Sequence, residues 1–177
     1  MSLTNDYVKK FYDEFRDAEM NKEYYAEKLS ASKKRLKYLN IFLALFAGSS
    51  AVIGFSFWSS TVFGYPVGAV VLGVLVGLAI CLSIAKPYLG LESDIERLSS
   101  IQGVYGILAS LHKDNVDDIR TKHIVTAREE LAFEIMRKAR ISLEPKEDKP
   151  ADRKLVDLCQ NIVNQRYPAG HFWYPEK

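Results

Sequence analysis

Few residues in this chain are placed to do chemistry by their type and spacing. The three histidines, His112, His123 and His171, are far apart, and neither Cys81 nor Cys159 has a second ligand at a usual zinc spacing. No Gly-Lys-Ser/Thr phosphate loop, Gly-x-Ser-x-Gly nucleophile elbow or His-Glu-x-x-His helix occurs. The reading is therefore not an enzyme, with no catalytic residue, no metal and no cofactor; His112 and His123 are expected at a surface or interface. What remains is chemistry of packing and of water. Ala69, Gly73, Gly77, Cys81 and Ala85 recur at every fourth position, a helix-packing row that lets backbones approach closely. It fits a seat for a partner helix of the same chain, offering Ala44, Gly48 and Ala51, or a contact between copies. Ser49, Ser56 and Ser60 fall near one helical face, where hydroxyls bond across helices or line a pore.

The elements that must carry these rows follow from a gap in the charge. From Tyr38 to Ala85, about 48 residues, no Asp, Glu, Lys, Arg or His occurs, against the ~20 that cross a bilayer as one helix. The run breaks at Phe63-Gly64-Tyr65-Pro66, so it reads as a transmembrane hairpin over 38–86, with spans at about 39–62 and 66–85. Every charge lies outside it. Nine Lys/Arg and seven Asp/Glu precede the run and fifteen of each follow, which is why a net charge of +2 conceals a membrane protein. Lys33, Lys34, Arg35 and Lys37 stand before the first span and Lys86 after the second, while the turn is uncharged. The positive-inside rule then places both termini in the cytoplasm. These five cations and Trp58 are the expected interface anchors, with Tyr38 and Tyr88 at the inner headgroup level and Phe57, Trp58, Phe63 and Tyr65 at the outer. Nucleic acid is not an expected partner; the lipid bilayer is.

The flanks read as helical. Residues 1–37 form an amphipathic helix starting near Asp6 and continuous with the first span, a hinge near Asn40 being left open; Val8, Phe11, Phe15, Ala18, Tyr25, Leu29 and Leu36 are its apolar stripe. Residues 87–143 hold two more helices. The first carries Ile95, Leu98, Ile101, Tyr105, Leu108 and Leu111 and stops at Asp114-Asn115. The second, near 117–142, has Ile124, Ala127, Leu131 and Ile135 on one face. Residues 144–151, Glu-Pro-Lys-Glu-Asp-Lys-Pro-Ala, read as a linker. Residues 152–177 read as a short helix, with Leu155, Leu158 and Ile162 inward, and an aromatic tail that packs on the helices or touches the inner leaflet through Trp173. The fold class is thus all-α: a two-helix transmembrane hairpin with a cytoplasmic helical bundle formed by the N- and C-terminal flanks.

A basic lead helix (Lys33-Lys34-Arg35), a charge-free hairpin turning at Gly64-Tyr65-Pro66 and a helical tail of about 90 residues resemble the SLATT-type two-transmembrane effectors of bacterial conflict systems. The resemblance rests on architecture and size and matches no catalytic motif. It implies an inner-membrane protein that oligomerises and permeabilises or depolarises the membrane on a cytoplasmic signal, as in anti-phage defence. The implied partner is a nucleotide-second-messenger or other conflict-system protein. A non-conducting membrane-anchored adaptor and a holin-like toxin are the other two readings that this layout allows.

Overall fold

The structure is a computed structural model that describes residues 5–52 and 67–172. It is all-helical, with no strand among the described residues. Among the described residues five α-helices follow in order: α1 (Asn5–Val52), α2 (Val67–Ala85), α3 (Leu91–Lys122), α4 (Ala127–Ile141) and α5 (Arg153–Arg166). Short 3-10 turns cover Lys86–Leu89, Glu144–Lys146 and Ala169–His171. The turn Phe63–Pro66, Ser56, Ser60, Trp58 and Trp173 fall outside the described residues.

The chain divides into two compact units, Met1–Leu29 with Arg97–Lys177, and Ser30–Glu96. In the first, α1 supplies Val8, Phe11, Tyr12 and Phe15 to a buried cluster completed by Val116 and Ile119 of α3. Val125, Phe133, Tyr167 and Phe172 pack against it. The α1 stripe continues through Ala18, Tyr25 and Leu29, all buried, at the three-to-four spacing that keeps one helix face inward. The start of the aromatic tail joins the same core, as Phe15 meets Tyr167 edge-on at 4.8 Å between ring centroids.

Four expectations about this unit need correction. α3 does not stop at Asp114-Asn115 but runs on to Lys122. Its buried stripe Leu98, Ile101, Tyr105, Leu108, His112, Val116 and Ile119 passes straight through, because Asp114 faces water and Asn115 donates to the Glu129 carbonyl at 3.3 Å. The helix ends instead at His123, whose φ of 56° lies in the left-handed region that stops helices. α4 consequently starts at Ala127. Thr126 caps it with Glu129 in a capping box, the Thr126 N–H donating to the Glu129 carboxylate at 2.9 Å.

The second correction concerns the apolar face of α4. Ile124, Leu131 and Ile135 do share one side, yet that side is exposed, Leu131 at 64%. The inward stripe is Glu129, half-buried Phe133 and Met136. Third, α5 buries Cys159 and Val163 and leaves Leu158 exposed, with Leu155 and Ile162 half-buried. Fourth, His112 is a core residue, 2% exposed. Its spacing from Tyr105 and Leu108 put it on the buried stripe, where Leu111, now exposed, had been expected.

The second unit is simpler. α1 passes without a break through Asn40 to Val52, and Tyr38, Ile41 and Leu45 are exposed along it. α2 ends at Ala85, after which the turn Lys86–Leu89 and Gly90, at φ 62°, lead the chain into α3.

Candidate membrane segment and the polar contacts of the helical unit

α2 is 19 residues long, about 28 Å at 1.5 Å per residue, close to the ~30 Å hydrocarbon core of a bilayer. It contains no ionisable side chain but Cys81, and the helical run to which it belongs is long and apolar enough to cross a membrane. None of the apolar window is buried. Val70, Val74, Leu78, Ile80 and Ile84 all meet the surroundings. In water such a helix would expose apolar surface at about 25 cal/mol per Å², with nothing to offset it.

The packing row lies on this helix. A Cβ built on Gly73 or Gly77 meets nothing within 4 Å, and Cys81 is exposed. Among the described residues no partner helix is therefore seated on Gly73, Gly77 or Cys81; Ala85 is half-buried, and Ala69 is in the first turn of α2. Ser49 belongs to α1, and its two companions Ser56 and Ser60 lie outside the described residues. The basic cluster is fully displayed: Lys33, Lys34, Arg35 and Lys37 are exposed on α1. Lys86 pairs with Glu92 at 3.3 Å across the elbow between α2 and α3, beside an open cavity of about 450 Å³ lined by Pro87, Gly90, Leu91 and Ser93.

The polar contacts of the other unit were not foreseen. The segment 144–151, expected to be a linker, is held together with Asp152 from two helices. Asp148 accepts from Lys28 of α1 at 2.5 Å and from Arg97 of α3 at 3.0 Å. Arg97 also donates to the Lys146 carbonyl at 2.8 Å, and Tyr105 donates to the Glu147 carboxylate. The N–H groups of Asp148 and Asp152 donate to the hydroxyls of Tyr25 and Tyr24, at 3.3 and 3.1 Å. Burial alone would raise the Asp148 carboxyl, but hydrogen bonds from Lys28 and Arg97 overcome it and hold the group below the usual range. Burial, then the acids beside it, pushes the Tyr25 hydroxyl up to about 12. Tyr25 therefore stays neutral at any physiological pH.

A second set of pairs ties the C-terminal helices to α1. Arg140 of α4 reaches Glu14 at 2.5 Å and Asp17 at 3.8 Å; Arg166 of α5 reaches Glu23 at 2.7 Å and Glu19 at 3.7 Å. The acids of α1 recur at helical spacing, a pattern readable as a solvated face but used here as a docking rail. His112 sits near this rail without joining it. Its Nδ1 is buried and has no hydrogen-bond partner, and its ring meets Phe133 at 6.0 Å. Burial pulls its pKa down to about 4, with Glu14 opposing and Arg140 reinforcing that shift.

Among the described residues no group of three His, Cys, Asp or Glu side chains converges as a metal site. The ion pairs of the helical unit brace its helices against one another. Compared with known proteins, the chain matches no family model, no curated protein and no solved structure.

Proposed function

We propose that this chain is a membrane effector: a transmembrane hairpin that assembles with other copies of itself and permeabilises or depolarises the cell membrane on a cytoplasmic signal. One observation carries the reading. The apolar helix α2 has the length of a bilayer core, lacks acidic and basic residues and is unburied throughout its apolar window. Lipid or another copy must cover it. The open Gly73 and Gly77 positions support assembly, because a second helix can approach there to backbone distance. The unbroken apolar run of the sequence supports the first span and the hairpin turn, and the cations at Lys33–Lys37 and Lys86 support cytoplasmic termini at an inner membrane. The flanking helices then form the cytoplasmic bundle that receives the signal, from a second-messenger or other conflict-system protein.

The test is membrane potential, followed with a voltage-sensitive dye during induced expression of the full chain. Potential should collapse before lysis, and a chain lacking residues 38–85 should be harmless. Replacing Ser56 and Ser60 together with Ala should weaken permeation if hydroxyls line the path. Toxicity that survives loss of 38–85 would sink the membrane mechanism. A second reading, the non-conducting adaptor, has its own support in the exposed Leu131, Ile135 and Ile141 of a helical unit that otherwise closes its core. An inserted chain that leaves the potential intact would favour it over the effector.

A further inference from the structure

The cations before the apolar run differ from those that hold the helical unit together. Lys28, Arg97, Arg140 and Arg166 each meet a carboxylate. Lys33, Lys34, Arg35 and Lys37 are exposed, and among the described residues none has an acidic partner. No Asp or Glu occurs between Glu27 and Glu92 to supply one by sequence proximity. Their arrangement on α1 is informative. At about 100° per residue the four directions are spread over roughly 200° of the helix circumference, within about 6 Å along the axis. Headgroup layers are about 5–8 Å thick. Immediately beyond come exposed Tyr38, Ile41 and Leu45, in the same uninterrupted helix.

A duplex nucleic acid offers its phosphates from one side and would be met by cations on one face. A broad arc of cations, one headgroup layer tall and adjoining exposed apolar side chains, fits a leaflet surface packed about the helix. We infer that Lys33, Lys34, Arg35 and Lys37 form a collar that binds anionic phospholipid headgroups, holding negatively charged lipid around α1. The inference rests on the membrane reading above and adds to it the headgroup chemistry. Neutral headgroups satisfy the apolar contacts equally well but leave four cations without counter-charge.

The test uses the full chain reconstituted into nanodiscs of phosphatidylcholine with about one-third phosphatidylglycerol, and native mass spectrometry of the lipids it retains. The wild type should retain phosphatidylglycerol in excess of the bulk ratio. Each cation neutralised should weaken that retention by about fivefold, the factor that corresponds to ~1 kcal/mol per basic residue near an anionic surface. The variant K33Q/K34Q/R35Q/K37Q should return to the bulk ratio, and K33R/K34R/K37R should keep the excess. Salt supplies a readout that needs no variant: raising it from about 0.05 to 0.5 M should erase the excess, as screening shortens to a few ångströms. Bulk-ratio retention by the wild type in low salt would overturn the collar, and so would displacement of its phosphatidylglycerol by duplex DNA. A chain that inserts normally yet shows no preference refutes the collar alone. A chain recovered lipid-free from both neutral and mixed preparations refutes the membrane reading and the collar with it.

Discussion

Two regions of this molecule expose apolar side chains, and they do so for different reasons. On α4, Leu131 and Ile135 are exposed on a helix whose opposite side is bonded into a core through Glu129, Met136 and Arg140. On α2, Val74, Leu78 and Ile84 are exposed on a helix with no polar side to set against them. Exposure as such is therefore uninformative. A helix with one exposed apolar stripe has a place in water, whereas a helix apolar all round has one only in lipid or among other apolar helices. The lesson is to read the face that an exposed residue does not occupy.

The comparison can be pressed from both ends. The largest effect belongs to the water-facing unit's core: Ile101→Ala, at a fully buried site, should cost about 2–5 kcal/mol, read as a lower denaturant midpoint of the solubilised chain. Next comes a paired experiment on the exposed leucines. Leu78→Arg puts a charge near mid-α2 and should cost ~2.5–3.5 kcal/mol of insertion, seen as a smaller membrane fraction. Leu131→Arg should stay within about 0.5 kcal/mol by the same denaturant assay. Equal tolerance at the two sites would erase the distinction between them.

Acid should act on the unit that buries His112. His112 has its pKa lowered from 6.5 to about 4 in the folded chain, so the unfolded chain takes up the proton first as pH falls. Stability is full above about 6.5 and declines toward pH 4, by up to ~1.4 kcal/mol per pH unit, then levels off. Glu14, Arg140 and Phe133 are the neighbours that face this imidazole. His112→Phe should flatten the profile between those limits. Asp148, held below 3.8, contributes its own loss only at lower pH. The smallest effect is at a helix start: Thr126→Ala removes the cap of α4 and should cost about 1 kcal/mol.

Much of the helical content was legible because it depends on periodicity and on charge gaps. The apolar stripe of α1, from Val8 to Leu29, needed nothing but spacing. The errors have a common physical source, which is that the buried faces here include polar residues. Asp114-Asn115 looked like a stop, yet one side chain faces water and the other finds a carbonyl on the next helix. α4 was turned the wrong way because its inward stripe includes a carboxylate, Glu129, which burial alone would penalise. Its hydrogen bonds with Thr126 answer that penalty and hold its pKa below the ordinary value. The signature Thr126-Ala-Arg-Glu129 was present in the sequence as a capping box and would have set the start of α4 correctly. The Asp148 contacts were not legible, since partners 51 and 120 residues away along the chain leave no local pattern.

Those contacts bear on how the chain meets proteases. Between α4 and α5, Lys146 stands in a polar stretch that composition would mark for trypsin, whereas Lys149 precedes Pro150 and is not a cleavage site. To be cut, a backbone must leave its place and lie extended in an enzyme's cleft, and here the Lys146 carbonyl and the Asp148 and Asp152 amides are already engaged. The Glu-Pro-Lys-Glu-Asp-Lys-Pro stretch should therefore outlast the exposed bend at His123-Ile124 under limited digestion, and a tag or a cut intended to spare the helical unit belongs at that bend.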